Sequence, residues 1–176
     1  CDKLERRHPH IFGEAKVTGA DDVKLNWERI KLREKAARRR SIIDGIPRSM
    51  PALIVAQRMQ EKAAAANFDW PNPDGVMDKL REEVVEFEQA RREAVPERVE
   101  DELGDLLFTI VNLARKLNID AEAALKAAVG KFERRFKAVE EDFRARGLDM
   151  ADHTLEQLDK VWDRVKGEEN PGNDEL

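Results

Sequence analysis

Two pairs of acidic residues are the first candidates for chemistry in this sequence. Glu83 and Glu86 lie three residues apart in EEVVE, and Glu102 and Asp105 lie three residues apart in ELGD. Residues three apart in a helix are neighbours on its surface, so each pair presents two carboxylates together. For either pair taken alone, an ordinary solvated helix face is the alternative interpretation.

The position of the first pair beside an apolar stripe favours a functional role. On a helix that turns by about 100° per residue, Glu83 and Glu86 flank the stripe that contains Leu80 and Val84. Glu82 points more toward solvent, so we expect it to contact substrate rather than metal.

The second pair lies in an unusually apolar segment. Asp105 is the only charged residue between Leu103 and Ala114, where the sequence LGDLLFTIVNLA is apolar on nearly every side. That pattern predicts a helix buried all round. A buried carboxylate is costly unless it is paired or binds a metal. A salt bridge to Lys131 or Arg135 is the alternative to metal binding.

Together the two pairs predict a cluster of four carboxylates between two consecutive antiparallel helices. Like charges at such close range repel one another unless divalent cations occupy the site. Ligation by oxygen alone, without His or Cys, suits Mg²⁺, with Mn²⁺ as a possible substitute, rather than zinc. Magnesium sites of this kind usually take further ligands from substrate phosphates.

A phosphate substrate also needs cationic partners, and the segment GKFERRF supplies candidates. Lys131 and Arg135 are one helical turn apart and are predicted to reach the same phosphate group; Arg134 is the less favourable neighbour. Trp162 lies on the apolar face of the last helix. Its default role is in the core, and the alternative is stacking on a nucleobase.

The elements that would position these residues are helices. Hydrophobic periodicity and the Gly and Pro signals predict an all-α helical bundle without strands. In the helix that begins near Ala121, the apolar residues predict a continuous packing seam. The seam residues are Leu125, Val129, Phe132, Phe136, Val139 and Phe143. The predicted helices cover residues 25–40, 52–66, 74–94, 97–117 and 121–146, followed by a last helix with Leu155, Leu158, Trp162 and Val165 on one face.

Composition limits the class of protein. Charged residues form 39% of the 176-residue chain, but the net charge is only −5, which does not favour nucleic-acid binding. The basic run Arg38–Arg40 keeps that binding open as a weaker alternative. No segment resembles a membrane span, and a single cysteine suits a reducing compartment. We therefore expect a cytoplasmic protein with no membrane contact.

The acidic motifs also identify a family. EEVVE followed by ELGD resembles the EExxE…ExxD signature of the MazG nucleoside triphosphate pyrophosphohydrolases, and DELGDLLFTIVNLARKL, KFERRF and VWDRVK extend the similarity. The resemblance implies an all-α nucleoside triphosphate pyrophosphatase bundle, usually a homodimer. The implied reaction converts a nucleoside or deoxynucleoside triphosphate into its monophosphate and pyrophosphate.

The resemblance also implies roles for individual residues. Glu83, Glu86, Glu102 and Asp105 match the family's catalytic magnesium ligands. The positions that match its nucleotide contacts are Lys79, Glu82, Arg98, Asp101, Lys131, Glu133, Arg134, Arg135 and Trp162.

The family resemblance predicts a division of the chain into three parts. RRHPHIFG and IPRSMPALIVAQRMQ resemble mid-chain segments of the family, and the chain does not begin with Met. Residues 1–46 are therefore predicted to be the tail of an absent N-terminal MazG-like domain and a linker. Residues 47–167 are predicted to form the catalytic helical domain, and residues 168–176 a disordered tail.

Two rival functions stay open. One is a narrower hydrolase of the same fold, specific for dCTP or dUTP or acting on phosphoribosyl-ATP. The other is a non-catalytic helical interaction module with a vestigial or structural acidic cluster.

Overall fold

The fold is all-α over the part of the chain that the structure describes. The computed structural model describes residues 41–169, together with Ile11 and Ile30. These residues contain no strand, and no helix among them is long and apolar enough to cross a membrane. The predicted helix at 25–40 lies outside the described residues apart from Ile30. The five helices are α1 (Ala52–Ala65), α2 (Pro73–Glu93), α3 (Pro96–Lys116), α4 (Ala121–Ala145) and α5 (Leu155–Glu169).

Local signals in the sequence set the limits of the two helices that carry the acidic motifs. The side chain of Asn72 caps α2 by accepting hydrogen bonds from the backbone N–H groups of Asp74 and Gly75. Ala94 ends α2 in the left-handed conformation, with φ of 56°. Pro96 then begins α3, at a position where its missing N–H costs no hydrogen bond. The limits of α1 to α4 confirm the sequence prediction to within one residue.

The chain divides into two compact units, and the first ends at Glu122. In this unit α3 packs along α2 and, over a shorter stretch, against α1. Val76, Ala90 and Val111 are its most completely buried apolar residues. The carbonyl of Phe108 also accepts a hydrogen bond of 2.8 Å from the Gln60 side chain on α1.

The prediction that α3 is buried on nearly every side is wrong for the single chain. The structure buries only three α3 residues, Thr109, Val111 and Asn112. The two helices packed against α3 cover only part of its circumference, so one apolar face stays open. The large side chains that are 43–48% exposed on α3 are Leu103, Leu107, Phe108 and Ile110.

The second unit begins at Ala123 and contains most of α4, a 3-10 turn at Met150–Asp152 and α5. The continuous α4 seam is only partly observed, because Val139 and Phe143 are buried and the four earlier seam residues are exposed. The partner helix α5 has 15 residues against 25 in α4, and its Trp162 contacts Phe132 without burying it. The buried cluster of this unit consists of Val139, Phe143, Val161 and Val165.

The last helix differs from the prediction in the residues that it buries and in the residue at which it ends. Leu155 is 81% exposed, and Val161 joins the buried face instead. Residues 168 and 169 were assigned to a disordered tail, but α5 continues through Glu169. Residues 170–176 lie outside the described part of the chain.

Candidate functional site

Helices α2 and α3 bring three of the four predicted metal ligands together. One carboxylate oxygen from each of Glu83, Glu86 and Glu102 lies within 4.8 Å of the other two. Glu83 and Glu86 share a face of α2 because they are three residues apart. Glu102 joins them from α3, which packs along α2.

Asp105 does not belong to this convergent group, although it follows Glu102 by one turn of α3. Among the described acidic residues, only the three glutamates bring carboxylate oxygens within 4.8 Å of one another, close enough to share a cation. Asp105 is exposed, so the argument that it is a lone charge in a buried helix is wrong for the single chain. The physical reason is that Asp105 lies on α3 where neither α1 nor α2 covers it.

The buried member of the group is Glu83. Its side chain is 6% exposed, against 43% for Glu86 and 17% for Glu102. The Oε2 atom of Glu83 is buried without a hydrogen-bond partner among the described residues. A buried carboxylate oxygen normally has a partner, so this atom and the all-oxygen donor set fit a divalent cation.

Lys79 is the cation nearest to the α2 carboxylates. Its Nζ lies 2.6 Å from Oε1 of Glu82 and 3.0 Å from Oε1 of Glu83. Oε2 of Glu86 is 3.8 Å from the same nitrogen. Hydrogen bonding to Glu82 and then to Glu83 raises the pKa of Lys79 above its ordinary value, so the side chain is a permanent positive charge here.

The negative charges of the cluster affect the pKa of Glu102. Loss of hydration raises the pKa of its carboxyl above the ordinary value, and the charges of Glu86 and Glu83 raise it further. Arg98, whose Nε is 3.8 Å from Oε1 of Glu102, opposes this shift. Because three carboxylates converge here and like charges repel, the cluster can accommodate additional positive charge.

An open concavity runs along the first half of α3. Arg98 and Asp101, which were predicted to contact nucleotide, line it together with Asp105. Glu82, the remaining α2 residue of the predicted nucleotide site, has a side chain that is 57% exposed. These side chains are therefore accessible to a ligand from solvent.

The other predicted nucleotide contacts lie in the second unit. Lys131, Glu133 and Arg134 are exposed, whereas Arg135 is 8% exposed. The Nε of Arg135 donates a 2.7 Å hydrogen bond to Oε2 of Glu169 at the end of α5. The sequence does not indicate this partner, because residue 169 belongs to the segment that is predicted to be disordered.

Trp162 has the packing role that was its default interpretation. Its ring is tilted against Phe132, with 5.2 Å between the ring centroids. The side chain also packs against the buried cluster of the second unit. Phe132 and Phe136 stack on each other at 5.7 Å, so the ring of Trp162 belongs to a row of aromatic side chains.

The family resemblance implies that Lys79 contacts nucleotide, and the structure adds its pairing with the carboxylates of α2. The signal was available in the spacing, because Glu82, Glu83 and Glu86 follow Lys79 by three, four and seven residues. On a helix these positions lie on one face. The same spacing therefore identifies Lys79 as part of the cluster.

Comparison with known proteins places this site in a known domain. Residues 72–140 match the family model of the MazG nucleotide pyrophosphohydrolase domain, which contains both acidic motifs. Over 171 residues the chain is 47% identical to the nucleoside triphosphate pyrophosphohydrolase of Escherichia coli K12. Over 166 residues it is 43% identical to the Thermotoga maritima nucleoside triphosphate pyrophosphohydrolase/pyrophosphatase MazG.

These matches cover nearly all of this chain but not all of the relatives. They include 96% and 94% of the chain, and 65% and 62% of the two relatives' lengths. A Bacillus subtilis protein, uncharacterized protein YabN, is 41% identical over 94% of the chain and 34% of its own length. At residues 72–140 the chain thus matches the MazG nucleotide pyrophosphohydrolase domain, and over nearly all of its length it is similar to these pyrophosphohydrolases.

Proposed function

We propose that this chain is a magnesium-dependent nucleoside triphosphate pyrophosphohydrolase. It hydrolyses the α–β phosphoanhydride bond of a nucleoside or deoxynucleoside triphosphate and releases the monophosphate and pyrophosphate. The observation that carries the proposal is the convergence of Glu83, Glu86 and Glu102, with one buried oxygen of Glu83 unpartnered among the described residues. The names of the E. coli and T. maritima relatives support the same activity.

The residues proposed to hold Mg²⁺ are Glu83, Glu86 and Glu102, with Asp105 as a fourth ligand one turn further along α3. When bound, Mg²⁺ or Mn²⁺ offsets the charge of the phosphates and activates water for attack at the α-phosphorus. One carboxylate of the group accepts the proton that the water loses.

The proposed substrate contacts include several positively charged side chains. Arg98 lines the concavity on α3 and is suited to bind phosphate oxygens through its guanidinium group. Lys131, Arg134 and Arg135 are proposed to offset the charge of the leaving pyrophosphate. For Arg135 this role requires exchange of its Glu169 partner for phosphate, because the same guanidinium would serve both anions.

A hydrolysis panel tests the reaction and separates it from its rivals. The purified chain is incubated in Mg²⁺ with each of the eight common nucleoside and deoxynucleoside triphosphates, with dUTP and with phosphoribosyl-ATP, and both products are identified. Monophosphate and pyrophosphate in equal amounts support the proposal. Turnover of dCTP or dUTP alone, or of phosphoribosyl-ATP alone, would identify a narrower hydrolase. Absence of turnover under all conditions would favour the non-catalytic interaction module.

Removing one proposed ligand charge tests the site. We expect Glu86→Gln to lower kcat/KM by about 100-fold or more, since an amide is a weaker Mg²⁺ ligand than a carboxylate. Asp105→Asn is expected to cause a similar loss. Glu88→Gln is the matched control, because Glu88 is an exposed glutamate of α2 outside the group. Equal activity in Glu86→Gln and Glu88→Gln would contradict the assignment.

We also propose that the active form is a homodimer. The support is the apolar face of α3, on which Leu103, Leu107 and Ile110 follow one another at steps of four and three residues. All three side chains are more than 40% exposed. A contiguous apolar face of this kind is typical of a protein–protein interface, and a second copy offers the same face for two-fold pairing.

A further inference from the structure

Lys79 lies beside the α2 carboxylates that are proposed to bind metal. The lysine begins a run of acidic residues on one face of α2, and its ammonium lies within 4 Å of three carboxylates. Two of these carboxylates, those of Glu83 and Glu86, are the proposed metal ligands of α2. The ammonium therefore shares its carboxylate partners with the proposed cation.

The carboxylates need such a partner whenever metal is absent. Glu83 is buried and converges with Glu86 and Glu102, so a negative charge that water screens poorly lies close to two others. The contacts with Lys79 allow the two α2 ligands to stay close together. Arg98 serves Glu102 more weakly, at 3.8 Å.

We infer that the ammonium of Lys79 is the resident counter-ion of the metal-free cluster, and that Lys79 and a divalent cation compete for the same carboxylates. This inference rests on the proposed metal site. A bound cation places two positive charges beside the ammonium, so the lysine stabilises the metal-free state more than the metal-bound state. By linkage, Lys79 weakens metal binding when no nucleotide is present.

The competition predicts an order to substrate binding. A triphosphate supplies anionic oxygens that can replace the carboxylates as partners of Lys79. Metal therefore binds weakly to the free protein and more tightly together with nucleotide phosphates. Lys79 thereby favours binding of a metal–nucleotide complex over binding of the metal alone.

The test is a titration of the metal-free protein with Mn²⁺ in the absence of nucleotide. Electron paramagnetic resonance measures the concentration of free Mn²⁺ at each step. We expect Lys79→Met to bind Mn²⁺ about tenfold more tightly than the unmodified chain, since one close positive charge is removed. Lys79→Arg keeps the charge and is expected to stay within about threefold of the unmodified chain. Circular dichroism establishes that each variant is folded.

The matched control removes a positive charge from the same helix without touching the cluster. Arg81 is two residues from Glu83, its side chain is 69% exposed, and it pairs with Asp78 at 2.6 Å. Arg81→Met is expected to change Mn²⁺ affinity by less than about twofold, because a distant exposed charge is screened by solvent.

Melting temperature provides a second readout that does not depend on activity. In EDTA, Lys79→Met is expected to melt at a lower temperature than the unmodified chain, and Mn²⁺ is expected to raise its melting temperature by the larger amount. Unchanged or weaker Mn²⁺ binding in Lys79→Met would overturn the inference and make Lys79 a positioning residue for Glu83. Absence of Mn²⁺ binding in the unmodified chain would instead contradict the proposed metal site.

Adding a nucleotide analogue tests the predicted order. An α,β-imido nucleoside triphosphate resists cleavage between the α- and β-phosphorus atoms. It is expected to tighten Mn²⁺ binding to the unmodified chain more than to Lys79→Met. An equal gain in both proteins would exclude Lys79 as the source of the coupling between metal and nucleotide.

Discussion

At the scale of single residues, Asp69 connects the loop before α2 to the end of α3. Its Oδ1 accepts a 2.5 Å hydrogen bond from Arg115, and its Oδ2 accepts one of 2.7 Å from Lys116. The three side chains are 11–19% exposed, so solvent screens these ion pairs less than those on the surface. Lys116 also donates to the carbonyl of Trp70, which adds a second connection to the loop.

The pKa of Asp69 gives this connection a definite pH dependence. Burial raises the pKa of the carboxyl, but the hydrogen bonds and charges of Arg115 and Lys116 together outweigh burial and lower it below the ordinary value. A pKa that is lower in the folded than in the unfolded state means that the stabilisation is present above the unfolded pKa of about 4. It is lost as the pH falls through the lower, folded pKa.

We therefore expect Asp69→Asn to lower the free energy of unfolding by about 1–3 kcal/mol at pH 7, because three charge-assisted hydrogen bonds from Arg115 and Lys116 are weakened. Urea denaturation at pH 7 and at progressively lower pH measures the effect, and the difference from the unmodified chain is expected to shrink below about pH 4. Asp78→Asn is the control, since Asp78 and its partner Arg81 are more than two-thirds exposed. A pH-independent difference would contradict the ion-pair explanation.

At the scale of elements, the first turn of α2 depends on a close contact between Trp70 and Gly75. A Cβ atom added at Gly75 would lie 2.4 Å from Cδ1 of Trp70, well inside van der Waals distance. The indole ring therefore occupies the space that any other residue would fill with its side chain. This contact anchors the same loop that Asp69 joins to α3.

Gly75→Ala is expected to destabilise the chain by about 1–3 kcal/mol despite the higher helix propensity of alanine, because Trp70 must move. Thermal unfolding measures the change. Gly130→Ala in α4 is the matched control, because an added Cβ there has no heavy atom within 4 Å. That variant is expected to gain about 0.5–1 kcal/mol. Stabilisation by both substitutions would show that the ring yields without cost.

Some sequence signals were sufficient to predict where a helix begins and ends, and others were not sufficient to predict which of its residues are buried. The Asn72 cap and the prolines at 73 and 96 act within a few residues of the chain, so the limits of α2 and α3 were predictable. The burial of the α4 seam was not predictable, because it depends on how a different helix packs against α4. Periodicity shows which face of a helix is apolar, and neighbouring helices decide how much of that face is covered.

At the scale of the whole molecule, the open apolar face of α3 leads to a prediction about assembly. Leu107→Lys is expected to weaken self-association by roughly 10- to 100-fold, which corresponds to loss of one buried leucine at an interface. Sedimentation velocity over a range of concentrations measures the dissociation constant. Leu155→Lys is the control, because Leu155 is 81% exposed on α5 and lies off this face. A monomeric unmodified chain at all concentrations would contradict the proposed dimer.

The sequence by itself determined the helical class, the limits of α1 to α4 and the glutamates that form the cluster. These properties depend on interactions within about one helical turn, which residue spacing encodes directly. Glu83 and Glu86 were identified because their spacing places both beside an apolar stripe, and Glu102 because the second motif repeats that spacing on the next helix. The family resemblance rested on the same local patterns and was confirmed by the match at residues 72–140.

Only the tertiary structure decided which carboxylates converge, which charges oppose them and which apolar face stays open. It separated Asp105 from the three glutamates, because α1 and α2 leave that side of α3 uncovered. It also selected Glu169 as the partner of Arg135. The physical reason is that burial and ion pairing depend on distances between atoms far apart in the chain or on the rotamers of long side chains, which residue spacing does not specify.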